Sequence, residues 1–193
     1  VICLEKFKSQ QKINKGDDLR STALLNPTVD FFNNLNFFKE LTKYAQPMNS
    51  LVVCNLNKKT STIEASCEFF ANELGKKTLG YNVPNKDITT TLKKILKTEK
   101  KFKFLNGDYV KYITQRSDVI ISKTQEKKQI IAKLLIAADG RNSEIRDQIN
   151  INKIKYDYNQ SALVFNIRHE YRHQCKSYEI YKSEGPCTLV PLK

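Results

Sequence analysis

With 193 residues, 40% of them hydrophobic, the chain can bury one good core, or one domain and part of another. Its apolar runs fall short of the roughly 18–20 residues of a membrane-spanning helix, and no secretory signal is visible at Val1. The net charge of +13 comes from lysines spread among asparagine and isoleucine, a surface composition rather than a nucleic-acid module, and compatible with contact to an anionic membrane.

In chain order, residues 1–4 read as a short apolar strand closed by Glu5, and 6–16 as a polar loop. Asn26-Pro27 reads as a helix start, a capping side chain followed by proline at the first helical position, and Val29, Phe32 and Leu35 share one helical face. Phe38, Leu41 and Ala45 predict a second short helix, stopped by Pro47. Residues 51–55 and 60–66 alternate as two strands about a polar turn at 57–59. A loop is expected at 80–85, around Pro84, before an amphipathic helix marked by Ile88, Leu92, Ile95 and Leu96. Strands are expected at 101–105, 109–114, 118–122 and 129–137, then a short helix from Ser143. Further strands follow at 162–168, 177–181 and 188–191, with a turn at 183–186. This mixture predicts an α/β (α+β mixed) chain in which a parallel dinucleotide-binding sheet is interleaved with an antiparallel one. The five cysteines, Cys3, Cys54, Cys67, Cys175 and Cys187, form no CxxC pair, and an odd number without a secretory signal predicts reduced thiols in a cytoplasmic setting.

Three places could carry chemistry. Glu5 ends the first strand, where in dinucleotide folds the two oxygens of a carboxylate match the vicinal hydroxyls of a ribose; a solvated acid is the plainer reading. The run Ile136-Ala137-Ala138-Asp139-Gly140-Arg141-Asn142-Ser143-Glu144-Ile145-Arg146 takes a buried strand through Asp-Gly into a helix start. Gly140 permits a tight turn and close approach, and the helix start offers N–H groups to an anion, against the plainer reading of ordinary turn chemistry. His169-Glu170-Tyr171-Arg172-His173 fits H-E-x-x-H, which needs a helix and a third ligand to hold zinc. The apolar, partly β-branched run before it favours a strand, on which the two histidines stand about 13 Å apart. No metal is therefore expected, and a zinc hydrolase remains as a rival reading. The scattered glycines form no G-x-G-x-x-G, P-loop or G-x-S-x-G.

Together these segments resemble the ubiquinone-biosynthesis branch of the flavin-dependent aromatic hydroxylases along nearly the whole chain. Val1-Ile2-Cys3-Leu4-Glu5 looks like the family's second strand with its ribose-binding acid, and Asp18-Leu19-Arg20-Ser21-Thr22-Ala23-Leu24 like the segment whose arginine contacts the flavin cofactor. Leu79-Gly80-Tyr81-Asn82-Val83-Pro84-Asn85 resembles the approach to the long helix. Ala138-Asp139-Gly140 with Ser143 and Arg146 is similar to the Asp-Gly motif that serves both FAD and the nicotinamide donor. The most specific block is residues 160–168 with His169-Glu170, His173, Tyr178-Glu179, Gly185-Pro186 and Leu189-Val190-Pro191-Leu192, which accounts for H-E-x-x-H without a metal.

The resemblance implies a partial Rossmann-like FAD-binding domain at 1–50 and 79–150, interleaved with an antiparallel substrate-domain sheet at 51–78 and 151–193. It implies Glu5, Arg20, Asp139 and Gly140 as FAD-binding residues and His169 and Pro191 as substrate-pocket candidates, with no side chain singled out as catalytic. The implied reaction is hydroxylation of the ring of a prenylated phenol in ubiquinone biosynthesis, with FAD, NAD(P)H and O2. The implied partners are that phenol, a ubiquinone-biosynthesis complex and the inner face of a membrane, with no nucleic acid. The family's glycine-rich turn and Gly-Asp motif are expected before Val1 and after Lys193, so the sequence is read as an internal fragment. An inactive truncated or split-gene product is the alternative.

Overall fold

The computed structural model describes residues 1–6 and 18–193, so the polar loop expected at 6–16 lies, beyond Lys6, outside the described residues. The chain is mixed α/β with several sheets and divides into two compact units. Unit 1 is Val1–Gly16 with Leu96–Ala162, and unit 2 is Asp17–Ile95 with Leu163–Lys193.

In unit 1, β1 (Ile2–Glu5) runs parallel to β7 (Lys103–Asn106), with Glu5 opposite Asn106. The strands β8 (Val110–Gln115), β9 (Ile120–Thr124) and β10 (Gln129–Ala132) form an antiparallel meander. Its turns are fastened by Asp108, only 2% exposed, whose Oδ1 accepts the backbone N–H of Tyr109 at 2.9 Å and of Glu126 at 3.2 Å. Burial pulls this carboxyl up, but the Thr124 hydroxyl, the two amides and Lys128 pull harder and hold it below the ordinary value. The short helix α4 (Glu144–Gln148) docks on β8, its Gln148 side chain accepting from the Ile113 N–H and donating to the Lys111 carbonyl. The strand expected at 129–137 stops at Ala132, because its partner β9 begins at Ile120, the residue opposite; Leu134 and Ile136 beyond it are exposed.

In unit 2, β6 (Gly80–Pro84) lies between β2 (Ser21–Leu25) and β3 (Gln46–Met48), antiparallel to both. Of residues 80–85, expected as a loop, 80–84 thus supply the central strand and Asn85 opens α3: Pro84 closes the strand, where no further ladder bond is needed, and Pro47 sits on an edge strand. The pairing is so close that a Cβ on Gly80 would lie 2.3 Å from the Leu24 carbonyl oxygen. Against this sheet pack α1 (Asn26–Asn34), α2 (Phe38–Leu41) and α3 (Asn85–Leu96), around a core of Leu24, Val29, Phe37, Phe38, Leu41, Ala45 and Val83. Asn26 is the first residue of α1 rather than its cap, and its side chain instead donates to the Thr78 carbonyl. A second sheet has the order β12 (Cys187–Leu189), β11 (Lys176–Tyr181), β4 (Ser50–Leu56), β5 (Ile63–Phe70), with only β11 and β4 parallel. The strand expected at 162–168 does not form: no strand of the described residues pairs with it, and Leu163 is 88% exposed.

Candidate functional site

Glu5 closes β1 half-buried, and its backbone carbonyl accepts the Gly107 N–H at 2.7 Å. The next residue, Lys6, reaches Glu144 at 2.9 Å and stands 4.5 Å over the Tyr109 ring. That ion pair ties the end of β1 to the start of α4, where the Asp-Gly turn lies. Ser143 caps the helix there: its hydroxyl accepts the Arg146 N–H at 3.0 Å and donates to Asp139 Oδ1 at 2.5 Å. Asp139 Oδ2 accepts the Ile145 N–H at 3.2 Å, and the Arg146 guanidinium reaches back to the Arg141 carbonyl at 3.2 Å. Burial raises the Asp139 carboxyl, but the Ser143 hydroxyl and neighbouring amides outweigh it and hold it below the usual carboxylate range. Gly140 turns at φ +87°, and a side chain added there would meet nothing within 4 Å. In unit 1 the Lys6–Glu144 pair thus joins the residue after Glu5 to the helix that follows Asp139 and Gly140.

In unit 2, Arg20 immediately precedes β2. Its fork closes on Asp18, Nε at 2.7 Å from Oδ1 and Nη2 at 2.8 Å from Oδ2. This pairing, above all the Arg20 hydrogen bond, lowers the Asp18 carboxyl to about 2. A guanidinium carries more donors than one carboxylate uses, and among the described residues Nε and Nη2 are the ones given to Asp18. Beside this segment is an open cavity of about 310 Å³, lined by the apolar Leu19, Tyr44, Pro84 and Leu192, by Asn166, and by the charged Asp18, Lys43, Lys86, Asp87 and Lys193. That is the small end of the roughly 300–1,000 Å³ of ligand pockets, enough for one ring system.

Pro191 is buried next to Leu192 in that wall, and its carbonyl accepts a 2.9 Å hydrogen bond from Asn82, itself 1% exposed. Sequence reading missed Asn82; the available signal was a polar residue between Tyr81 and Val83 in a segment that looked like a loop. His169 lies exposed on irregular chain. The run from His169 to His173 is not helical, so it lacks the geometry that H-E-x-x-H requires, and His173 Nδ1 instead accepts the Cys175 N–H at 3.0 Å.

Each unit by itself suits part of a flavin nucleotide: in unit 1, Gly140 leaves open space for close approach, and in unit 2 the Arg20 guanidinium stands beside a cavity with room for a ring. No family model matches the chain. The chain is 27% identical over 187 residues to the mitochondrial ubiquinone biosynthesis monooxygenase COQ6 of Dictyostelium discoideum, covering 87% of this chain and 37% of that protein. It is 27% identical over 124 residues to the 3-demethoxyubiquinol 3-hydroxylase of Escherichia coli, covering 64% and 32%. The chain thus spans about a third of the length of these relatives. Among solved structures, Klebsiella pneumoniae HpxO complexed with FAD and uric acid shares the fold, with a TM-score of 0.63 over 98% of this chain and 46% of that one, at 14% identity. The chain is thus similar, over part of their length, to ubiquinone-biosynthesis hydroxylases, and it shares its fold with FAD-dependent monooxygenases.

Proposed function

We propose that the chain is part of an FAD-dependent monooxygenase that hydroxylates the aromatic ring of a prenylated phenol in ubiquinone biosynthesis, using NAD(P)H and O2. The observation that carries this reading is the Asp139–Ser143–Arg146 network beside an open Gly140, in a chain whose curated relatives are ubiquinone hydroxylases. In unit 1, Glu5 would accept from the ribose hydroxyls, and the Asp-Gly turn, stiffened by Ser143, would let the cofactor backbone pass close to Gly140. In unit 2, the outer edge of Arg20 would donate to polar atoms of FAD. The apolar residues of the cavity would pack against the reacting ring, and Lys43, Lys86 and Lys193, set against Asp18 and Asp87, would leave a positive balance that favours an electron-rich ring oxygen. When bound, FAD supplies oxidising power that no side chain has. Pro191 stands behind that wall, and with His169 it remains the candidate for the substrate side.

The partners in this reading are the prenylated phenol, a ubiquinone-biosynthesis complex and the cytoplasmic face of a membrane. No helix among the described residues is long and apolar enough to cross a bilayer, while a net charge of +13 suits contact with an anionic surface. The test is to purify the full-length protein, titrate it with FAD, and follow phenol-dependent oxidation of NAD(P)H. Stoichiometric flavin uptake and one oxygen atom added to the phenol are expected. A colourless protein that takes up no FAD would count against the reading.

A further inference from the structure

Asn82 is a buried amide in the middle of β6, opposite Ala23 on one side and Gln46 on the other. An apolar side chain there would avoid the cost of burying a polar group. What an apolar side chain could not do is donate a hydrogen bond. The Asn82 Nδ2 donates to the carbonyl of Pro191, more than a hundred residues further along the chain. Proline has no N–H of its own, so that carbonyl is its backbone handle.

The two residues after this handle, Leu192 and Lys193, line the cavity, and so does Pro84, two residues after Asn82. Lys193 has a second tether, from Nζ to the Thr42 carbonyl at 3.0 Å, but that one is exposed. The buried bond therefore sets how far the 190–193 segment stands from Pro84 and Tyr44, and with it the width of the cavity. We infer that Asn82 is a positioning residue, which acts through the Pro191 carbonyl to fix the Leu192–Lys193 wall of the ring cavity. This rests on the reading above, in which that cavity takes the flavin or phenol ring.

The test uses the full-length protein and its Asn82→Ala and Asn82→Asp variants, with FAD as the probe. Two readouts are followed: the methyl resonances of Leu192 without FAD, and FAD affinity by flavin fluorescence. In Asn82→Ala, the Leu192 methyls shift and broaden while those of Leu24 in β2 and Met48 in β3 keep their positions, and FAD affinity falls about tenfold, the worth of one buried hydrogen bond. In Asn82→Asp, the carboxylate repels the carbonyl at neutral pH, but the protonated acid can donate again. Affinity is then recovered as the pH is lowered, a profile the native protein lacks. Unmoved Leu192 methyls, or changes spread evenly through Leu24, Val83 and Met48, would overturn the inference. If the native protein binds no FAD, the functional reading fails, whereas the Leu192 methyls still decide whether Asn82 holds the wall.

Discussion

In unit 2, Leu24, Val29, Phe37, Phe38, Leu41, Ala45 and Val83 meet in one apolar core, with Ile88 and Ile95 of α3 packed against it. In unit 1, Val110 and Ile145 are the buried hydrophobics among the described residues, and they share the interior with Asp108, Ser122, Thr124 and Ser143. The first kind of interior is held by area removed from water and tolerates small shifts. The second is held by directed hydrogen bonds, each costly if left unmade. The open Asp-Gly turn belongs to the second kind, where polar groups fix a backbone path and leave space for a ligand.

This contrast can be broken by substitution. The largest effect is expected at Leu41, which is fully buried: Leu41→Ala should cost about 2–5 kcal/mol in urea unfolding, more than Ile145→Ala in unit 1. Equal losses would dissolve the distinction. Next, Asp108→Ala leaves the Tyr109 and Glu126 amides without their acceptor and should cost about 1–3 kcal/mol, read as a lower thermal midpoint. Ser143→Ala removes the α4 cap and should cost about 1 kcal/mol, with loss of amide protection at Arg146 as its local signature.

The smallest effect on stability is expected at Asp18. Its folded value of about 2 lies below the ordinary 3.8, so its contribution is full above the ordinary value and is lost as pH falls through about 2. Arg20→Gln should move the Asp18 midpoint up toward 3.8, followed by the carboxyl carbon resonance. An unmoved midpoint would show that Arg20 does not hold Asp18 in solution.

The same contrast explains what could be read in the sequence. The spacing of Val29, Phe32, Ile88 and Ile95 announced the helices of unit 2, because apolar burial leaves a period in the chain. The strand at 80–84 was hidden by its proline and asparagine, although Asn82 is buried because it serves a distant carbonyl. The runs at 133–137 and 162–167 misled in the opposite direction: they are apolar enough for strands, but no strand of the described residues pairs with them. Asp139, Gly140 and Ser143 were legible as a motif, since capping and a positive φ constrain residue type directly. Asn82, whose partner is far away in sequence, left no such trace.

The proposed function is that this chain is part of an enzyme for flavin-dependent ring hydroxylation. Its most direct test is turnover of the full-length protein with FAD, NAD(P)H and a prenylated phenol under isotopically labelled dioxygen. The account predicts one labelled oxygen atom in the new ring hydroxyl. A product whose oxygen comes from water, or a product formed equally well without FAD, would contradict it.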